Sequence, residues 1–94
     1  MQIRWSPEAA EDLRKIVEFI QRDNPDAAER VAATIYDGVG ALSSFPSRGR
    51  PGKRAGTREL VFAPLPFVAI YRVLPEAVEI ARIWHGARRP PETA

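Results

Sequence analysis

Proline placement constrains this chain more than any other feature of its sequence. Pro7 and Pro25 each follow a residue suited to cap a helix, whereas Pro64, Pro66 and Pro75 fall between apolar runs. Proline lacks an amide hydrogen and fixes φ, so it opens a helix or occupies a turn, and central strands exclude it. The spacing therefore predicts a short opening strand, two helices, an irregular connector and a late set of strands.

Gln2–Trp5 alternates polar and apolar residues and reads as the opening strand, with Ile3 and Met1 turned inward. Ser6-Pro7-Glu8 follows: a side-chain acceptor for first-turn amides, a preset first helical residue, and an acid at the positive helix end. The helix it starts runs to about Arg22, with Leu13, Ile16, Val17 and Ile20 on one stripe that Ala9 and Ala10 extend. Glu11, Asp12, Arg14, Lys15 and Glu18 fall on the solvent side, with Glu11 and Lys15 spaced as an i, i+4 pair. Asn24-Pro25-Asp26 repeats the start signal. The second helix carries Ala28, Val31, Ala32, Ile35, Val39 and Leu42 inward, and so short a connection makes the pair an antiparallel hairpin. Gly38 and Gly40 weaken its last turns, which points to close packing on the sheet or a frayed end.

Residues 45–56 hold two prolines, three glycines and four cations. This composition excludes helix and central strand and marks a basic loop suited to binding, with a flexible connector as the alternative and Phe45 expected to anchor its start in the core. Three strands follow, Thr57–Ala63, Phe67–Leu74 and Val78–Trp84, joined by connections short enough for an antiparallel meander. The unbroken apolar run Val68–Tyr71 fits a central strand buried on both faces, or covered by a partner on one of them. The expected architecture is α+β: an N-terminal strand, an antiparallel helical hairpin and a three-stranded antiparallel β-meander, in one domain over residues 1–94.

With no cysteine, the chain has no disulfide, thiolate metal site or cysteine nucleophile. No run is long and apolar enough to span a membrane, and the N-terminus lacks a signal-peptide core, so a cytoplasmic protein is expected. Charge is uneven. Residues 1–47 carry five Lys/Arg against eight Asp/Glu, a net of −3, and residues 48–94 carry nine against four, a net of +5. Eight of those nine cations are arginine. An anionic partner, nucleic acid or an acidic protein segment, suits such a half; a solvated basic surface is the plain alternative.

Catalytic constellations are scarce. The single histidine rules out a two-histidine metal site, and neither a metal nor another cofactor is expected. The glycines at 49, 52 and 56 precede no helix, so they form no phosphate loop. His85, just past a strand end and close to Arg88, has the chemistry of a general acid or base in RNA cleavage, or of a hydrogen-bonded strand cap. Arg58, Arg72 and Arg82 lie one per strand and can share a sheet face, matched by Glu59 and Glu79 or by a partner's carboxylates. Tyr71 and Trp84 read as core.

The segments WSPEAAEDLRKIVEFI at 5–20, NPDAAERV at 24–31, LSSFPSRGRPG at 42–52, GTRELV at 56–61, YRV at 71–73 and IWHGARR at 83–89 together resemble the RelE/ParE superfamily of bacterial toxins. The likeness covers nearly the whole chain. It implies the toxin of a type II toxin–antitoxin module. Ribosome-dependent RNA-cleaving members of that superfamily carry an arginine on the second meander strand, where this chain has Val68. They carry another after the last strand, matched by Arg88, and then a tyrosine or histidine, where this chain has Pro90-Pro91-Glu92-Thr93-Ala94. GTRELV and HGARR are similar to the ParE branch, whose members poison DNA gyrase. The resemblance thus implies gyrase inhibition and a ParD-like ribbon-helix-helix antitoxin, with operator DNA contacted only through that antitoxin. Ribosome-dependent mRNA cleavage, which would use His85 and Arg88, and a non-toxic nucleic-acid-binding module are the alternatives. The target or antitoxin surface is expected at Arg50, Arg54, Arg58, Arg72, Arg82, His85, Arg88 and Arg89.

Overall fold

The computed structural model describes residues 1–88. In chain order these form β1 (Gln2–Trp5), α1 (Pro7–Gln21), α2 (Pro25–Gly40), a 3-10 turn (Ala41–Ser43), β2 (Arg50–Pro51), β3 (Arg58–Val61), β4 (Phe67–Val73) and β5 (Ala77–His85). Both helix starts follow from their caps. The Ser6 hydroxyl accepts from the Ala9 amide at 3.0 Å, and Asn24 Oδ1 accepts from the Ala27 amide at 3.1 Å. Each cap satisfies an amide that the first helical turn leaves unpaired.

The strands form one sheet in the order β1-β5-β4-β3-β2. β3, β4 and β5 are the expected antiparallel meander, and β1 joins it as a parallel neighbour of β5, with Ile3 opposite Val78 and Trp5 opposite Ile80. β2 arises inside the basic loop, where Arg50 and Pro51 pair with Glu59 and Arg58 at the sheet edge. A proline is tolerated there because an outermost strand needs no amide on its free side. A register shift between Ile70 and Tyr71 places Ala81 as an extra residue in β5, since Ile70 faces Arg82 and Tyr71 faces Ile80.

The core lies between the helices and one sheet face. Ile35, Val39 and Leu42 meet Leu60, Phe62, Ala69, Tyr71, Val78, Ile80 and Ile83 there, with Ile3, Trp5, Leu13, Ile16 and Ile20 packed around them. Val68, Ala69, Ile70 and Tyr71 are all buried, as the unbroken apolar run predicts. Gly38 is needed for the approach of α2: a Cβ there would sit 2.8 Å from Phe62 Cε1, whereas one at Gly40 meets nothing within 4 Å.

Several expectations are corrected. Met1 and Ala10 are exposed, not inward, and of the α1 stripe only Ala9 is fully buried. Phe45 is 64% exposed, because Leu42 in the 3-10 turn already fills the core position at the end of α2. Glu11 pairs with Arg14, not Lys15; the Arg14 guanidinium bonds Glu11 and Glu18 together. Asp12 lies on no solvent face, since its carboxylate is bound to β5.

Candidate interaction surfaces

Beyond Trp5, β1 no longer covers the edge of β5, and α1 takes its place. The Ser6 amide donates to the Ile80 carbonyl at 3.0 Å, and the Ser6 hydroxyl donates to the Ala81 carbonyl at 2.8 Å. Asp12, nearly two turns further along α1, accepts from the Ile83 amide at 3.0 Å and from Arg82 Nε and Nη2 at 2.7 and 3.0 Å. One carboxylate thus closes an open strand edge and holds a guanidinium in its bidentate fork. The hydrogen bond to Asp12, followed by its negative charge, pushes the Arg82 pKa up. Arg82 is therefore tied into the fold at the seam between α1 and β5.

Three more arginines are tied one by one. Arg58 Nη1 donates to the carbonyls of Gly49 at 2.7 Å and Ser47 at 3.3 Å. Arg50 donates through Nε and Nη2 to Glu59 Oε1 at 3.1 and 3.0 Å. Arg72 stands 3.8 Å from Glu79 across the β4–β5 ladder. Register decides the grouping. Arg58 faces Tyr71 on the helix side, while Arg72 and Arg82 face Glu79 and Ile70 on the other, so these three do not form one face cluster. Glu59 and Glu79 do neutralise arginines, but Glu59 takes Arg50.

At the far end of the sheet the His85 ring lies edge-on to Phe67 at 5.7 Å. Its Nδ1 accepts from the Ala87 amide at 3.2 Å, and the Arg88 amide donates to the His85 carbonyl at 2.9 Å. The histidine thus shapes the turn after β5, the strand-cap arrangement. With Nδ1 an acceptor, the neutral ring carries its proton on Nε2. Arg88 is exposed on that turn, Arg54 is exposed in the loop before β3, and Arg89 lies outside the described residues. Val68, opposite Trp84, is 5% exposed. Among the described residues no cluster of His, Cys, Asp and Glu has the makeup of a metal site, and no helix is long and apolar enough to cross a membrane.

Two features escaped the sequence reading. The first is an open, largely apolar groove of about 590 Å³ along the helical hairpin, lined by Trp5, Ala10, Leu13, Val17 and Tyr36 and flanked by Arg14, Glu18 and Gln21. Trp5 and Tyr36 stack in it with ring centroids 5.8 Å apart. The half-buried stripe of α1 was its only signal. The second is the turn at Phe45–Arg48, locked by β3 and β4. Tyr71, fully buried, accepts from the Gly49 amide and donates to the Pro46 carbonyl, both at 2.8 Å, while Arg58 holds the next carbonyls. Gly49 is needed there, because a Cβ would lie 2.7 Å from the Tyr71 hydroxyl and 2.8 Å from the Glu59 carbonyl.

The chain superimposes on a chain of the chromosomal ParDE TA system from P. aeruginosa with a TM-score of 0.82 and 30% identity, covering 90% of this chain and 95% of that one. It also superimposes on a chain of the toxin–antitoxin complex RelBE2 from Mycobacterium tuberculosis with a TM-score of 0.65 and 28% identity, covering 89% and 95%. Among sequence relatives, Y4kP of Sinorhizobium fredii is 42% identical over 91 residues, 97% of this chain and 94% of that protein. Toxin RelE2 of Caulobacter vibrioides is 39% identical over 87 residues, 93% and 97%. Residues 3–90 match the family described as ParE toxin of type II toxin-antitoxin system, parDE. The chain belongs to that family and is the toxin of a type II toxin–antitoxin system.

Proposed function

We propose that this toxin arrests growth by binding and inhibiting DNA gyrase, and that a ParD-like antitoxin holds it inactive. The observation that carries this reading is Val68. Where the RNA-cleaving branch carries an arginine, this chain has a valine buried opposite Trp84. A guanidinium at that place would need a carboxylate or water to offset its desolvation. His85 supports the same reading, because its Nδ1 already serves the turn. An antitoxin helix suits the groove along the hairpin, where apolar side chains at helical spacing would meet Trp5, Leu13 and Tyr36. A ribbon-helix-helix portion of that antitoxin would then carry the operator contacts.

Purified toxin is expected to block gyrase supercoiling of relaxed plasmid and to leave ribosome-bound mRNA intact. Cleaved mRNA with unaffected supercoiling would replace this reading by RNA cleavage, which the exposed Arg88 and the RelE names of three relatives favour. Normal growth on induction, with salt-sensitive nucleic-acid binding, would instead mark a non-toxic binding module.

A further inference from the structure

We propose that the Phe45–Arg48 turn is the anchor with which this toxin docks into a pocket on its folded target protein. The inference rests on the reading that the target is gyrase, and it assigns the contact surface. Phe45 is 64% exposed although it belongs to a turn with fixed coordinates. The Phe45 carbonyl accepts from the Arg48 amide, the Pro46 carbonyl from Tyr71, and the Ser47 and Gly49 carbonyls from Arg58. An aromatic side chain on so pre-organised a turn adds no loop ordering to the cost of binding, one of the costs that lowers affinity. Aromatic residues and arginine are also the types enriched at protein interfaces.

The chemistry of the partner follows from what surrounds the ring. Between Gly38 and Arg58 the chain carries five cations and no acid. Among the described residues, the open depression beside the ring is lined by Phe45, Pro46, Ser47 and Arg48. Arg50 and Arg58 are committed to Glu59 and to the loop carbonyls, and Arg48 is the cation that lines the depression with the ring among the described residues. One cation beside an apolar surface suits a partner pocket with an apolar floor and a carboxylate at its rim. A nucleic-acid strand would draw on several phosphate contacts tracked by cations. An extended antitoxin segment needs a free strand edge or a long groove. At this turn the carbonyls of Phe45, Pro46 and Ser47 are already taken by Arg48, Tyr71 and Arg58, so it offers such a segment no backbone to pair with.

The test compares wild type, Phe45→Ala, Arg48→Glu and Phe19→Ala in gyrase supercoiling and in direct binding to immobilised gyrase. Phe19, on α1, is 70% exposed and serves as the control for loss of an exposed aromatic ring. The expected result is inhibition and binding weakened at least about tenfold in Phe45→Ala and in Arg48→Glu. Phe19→Ala should stay within about twofold of wild type, and all four proteins should share one circular dichroism spectrum and melting temperature. Wild-type potency in both Phe45→Ala and Arg48→Glu would overturn the anchor and leave gyrase as the target. Loss in Arg48→Glu alone would reduce the contact to charge and overturn the apolar anchor. Wild-type protein inactive on gyrase would remove the target reading, and this inference with it.

Discussion

Tyr71→Phe removes one oxygen atom and tests how the basic loop is held. The ring is fully buried, so phenylalanine keeps its packing and opens no cavity of consequence. Two hydrogen bonds disappear, one from the Gly49 amide and one to the Pro46 carbonyl. Gly49 is buried, and its amide left without an acceptor costs about 1–3 kcal/mol. The Pro46 residue is half-buried and its carbonyl can turn to water, so that loss is closer to about 1 kcal/mol. The sum, about 2–4 kcal/mol, is a large part of the roughly 5–14 kcal/mol expected for a domain of this size. In urea unfolding the midpoint should fall by about 1–2 M with an unchanged slope, and the melting temperature by at least about 8 °C. Tyr36→Phe, at an exposed tyrosine, should stay within about 0.5 kcal/mol of wild type. Because Arg58 holds the same turn, Tyr71→Phe and Arg58→Met should couple by more than about 0.5 kcal/mol in a double-mutant cycle. A Tyr71→Phe protein as stable as wild type would refute the view that this hydroxyl fixes the loop.

Asp12→Ala should destabilise by about 2–3 kcal/mol in urea unfolding, less than for a fully dry pair because the Asp12 and Arg82 side chains are 16% and 25% exposed. Asp12→Asn should recover part of that loss, since its amide oxygen still accepts from Ile83; equal losses would refute the edge-closing role. Gly38→Ala and Gly40→Ala should differ in sign by thermal melting. The former drives a methyl into Phe62 and costs about 1–2 kcal/mol net of helix propensity, while the latter gains about 0.5–1 kcal/mol. The hydrogen bond from Arg14 holds the Glu11 pKa below its ordinary 4.5, so its small contribution is present above the unfolded-state value and is lost as pH falls through the lowered folded one. Carboxyl titration by NMR should show the Glu11 midpoint rising in Arg14→Gln, and an unmoved midpoint would discount the pair.

What could be read from the sequence was what local chemistry decides. Ser6-Pro7 and Asn24-Pro25 open helices because a side-chain acceptor and a preset φ act within one turn, and both caps form. Prolines at 64, 66 and 75 bound the meander for an equally local reason. Partner choice is another matter. That β1 lies parallel to β5 depends on how the last strand of the meander returns beside the first strand of the chain, and no spacing encodes that. Asp12 sits at a position that helical periodicity gives to solvent, yet the bulge at Ala81 and the end of β1 leave a bare strand edge beside it. Its neighbours Arg14 and Glu11 do obey the surface rule.

The arginines show where composition stops informing. A net +5 over residues 48–94 promises one basic surface, but register sends Arg58 to the helix side and Arg72 to the other, and Asp12, Glu59 and Glu79 each take one guanidinium. Much of that charge therefore builds the toxin. Arg58 braces the turn that presents Phe45, a residue whose apolar character suggested the core. Hydrophobicity predicts burial somewhere, without saying in which molecule. With Leu42 already filling the core site and the turn fixed from below, Phe45 is presented outward, where a partner's pocket would bury it. The braced aromatic ring, more than the sum of positive charge, is then the feature on which recognition of the target turns.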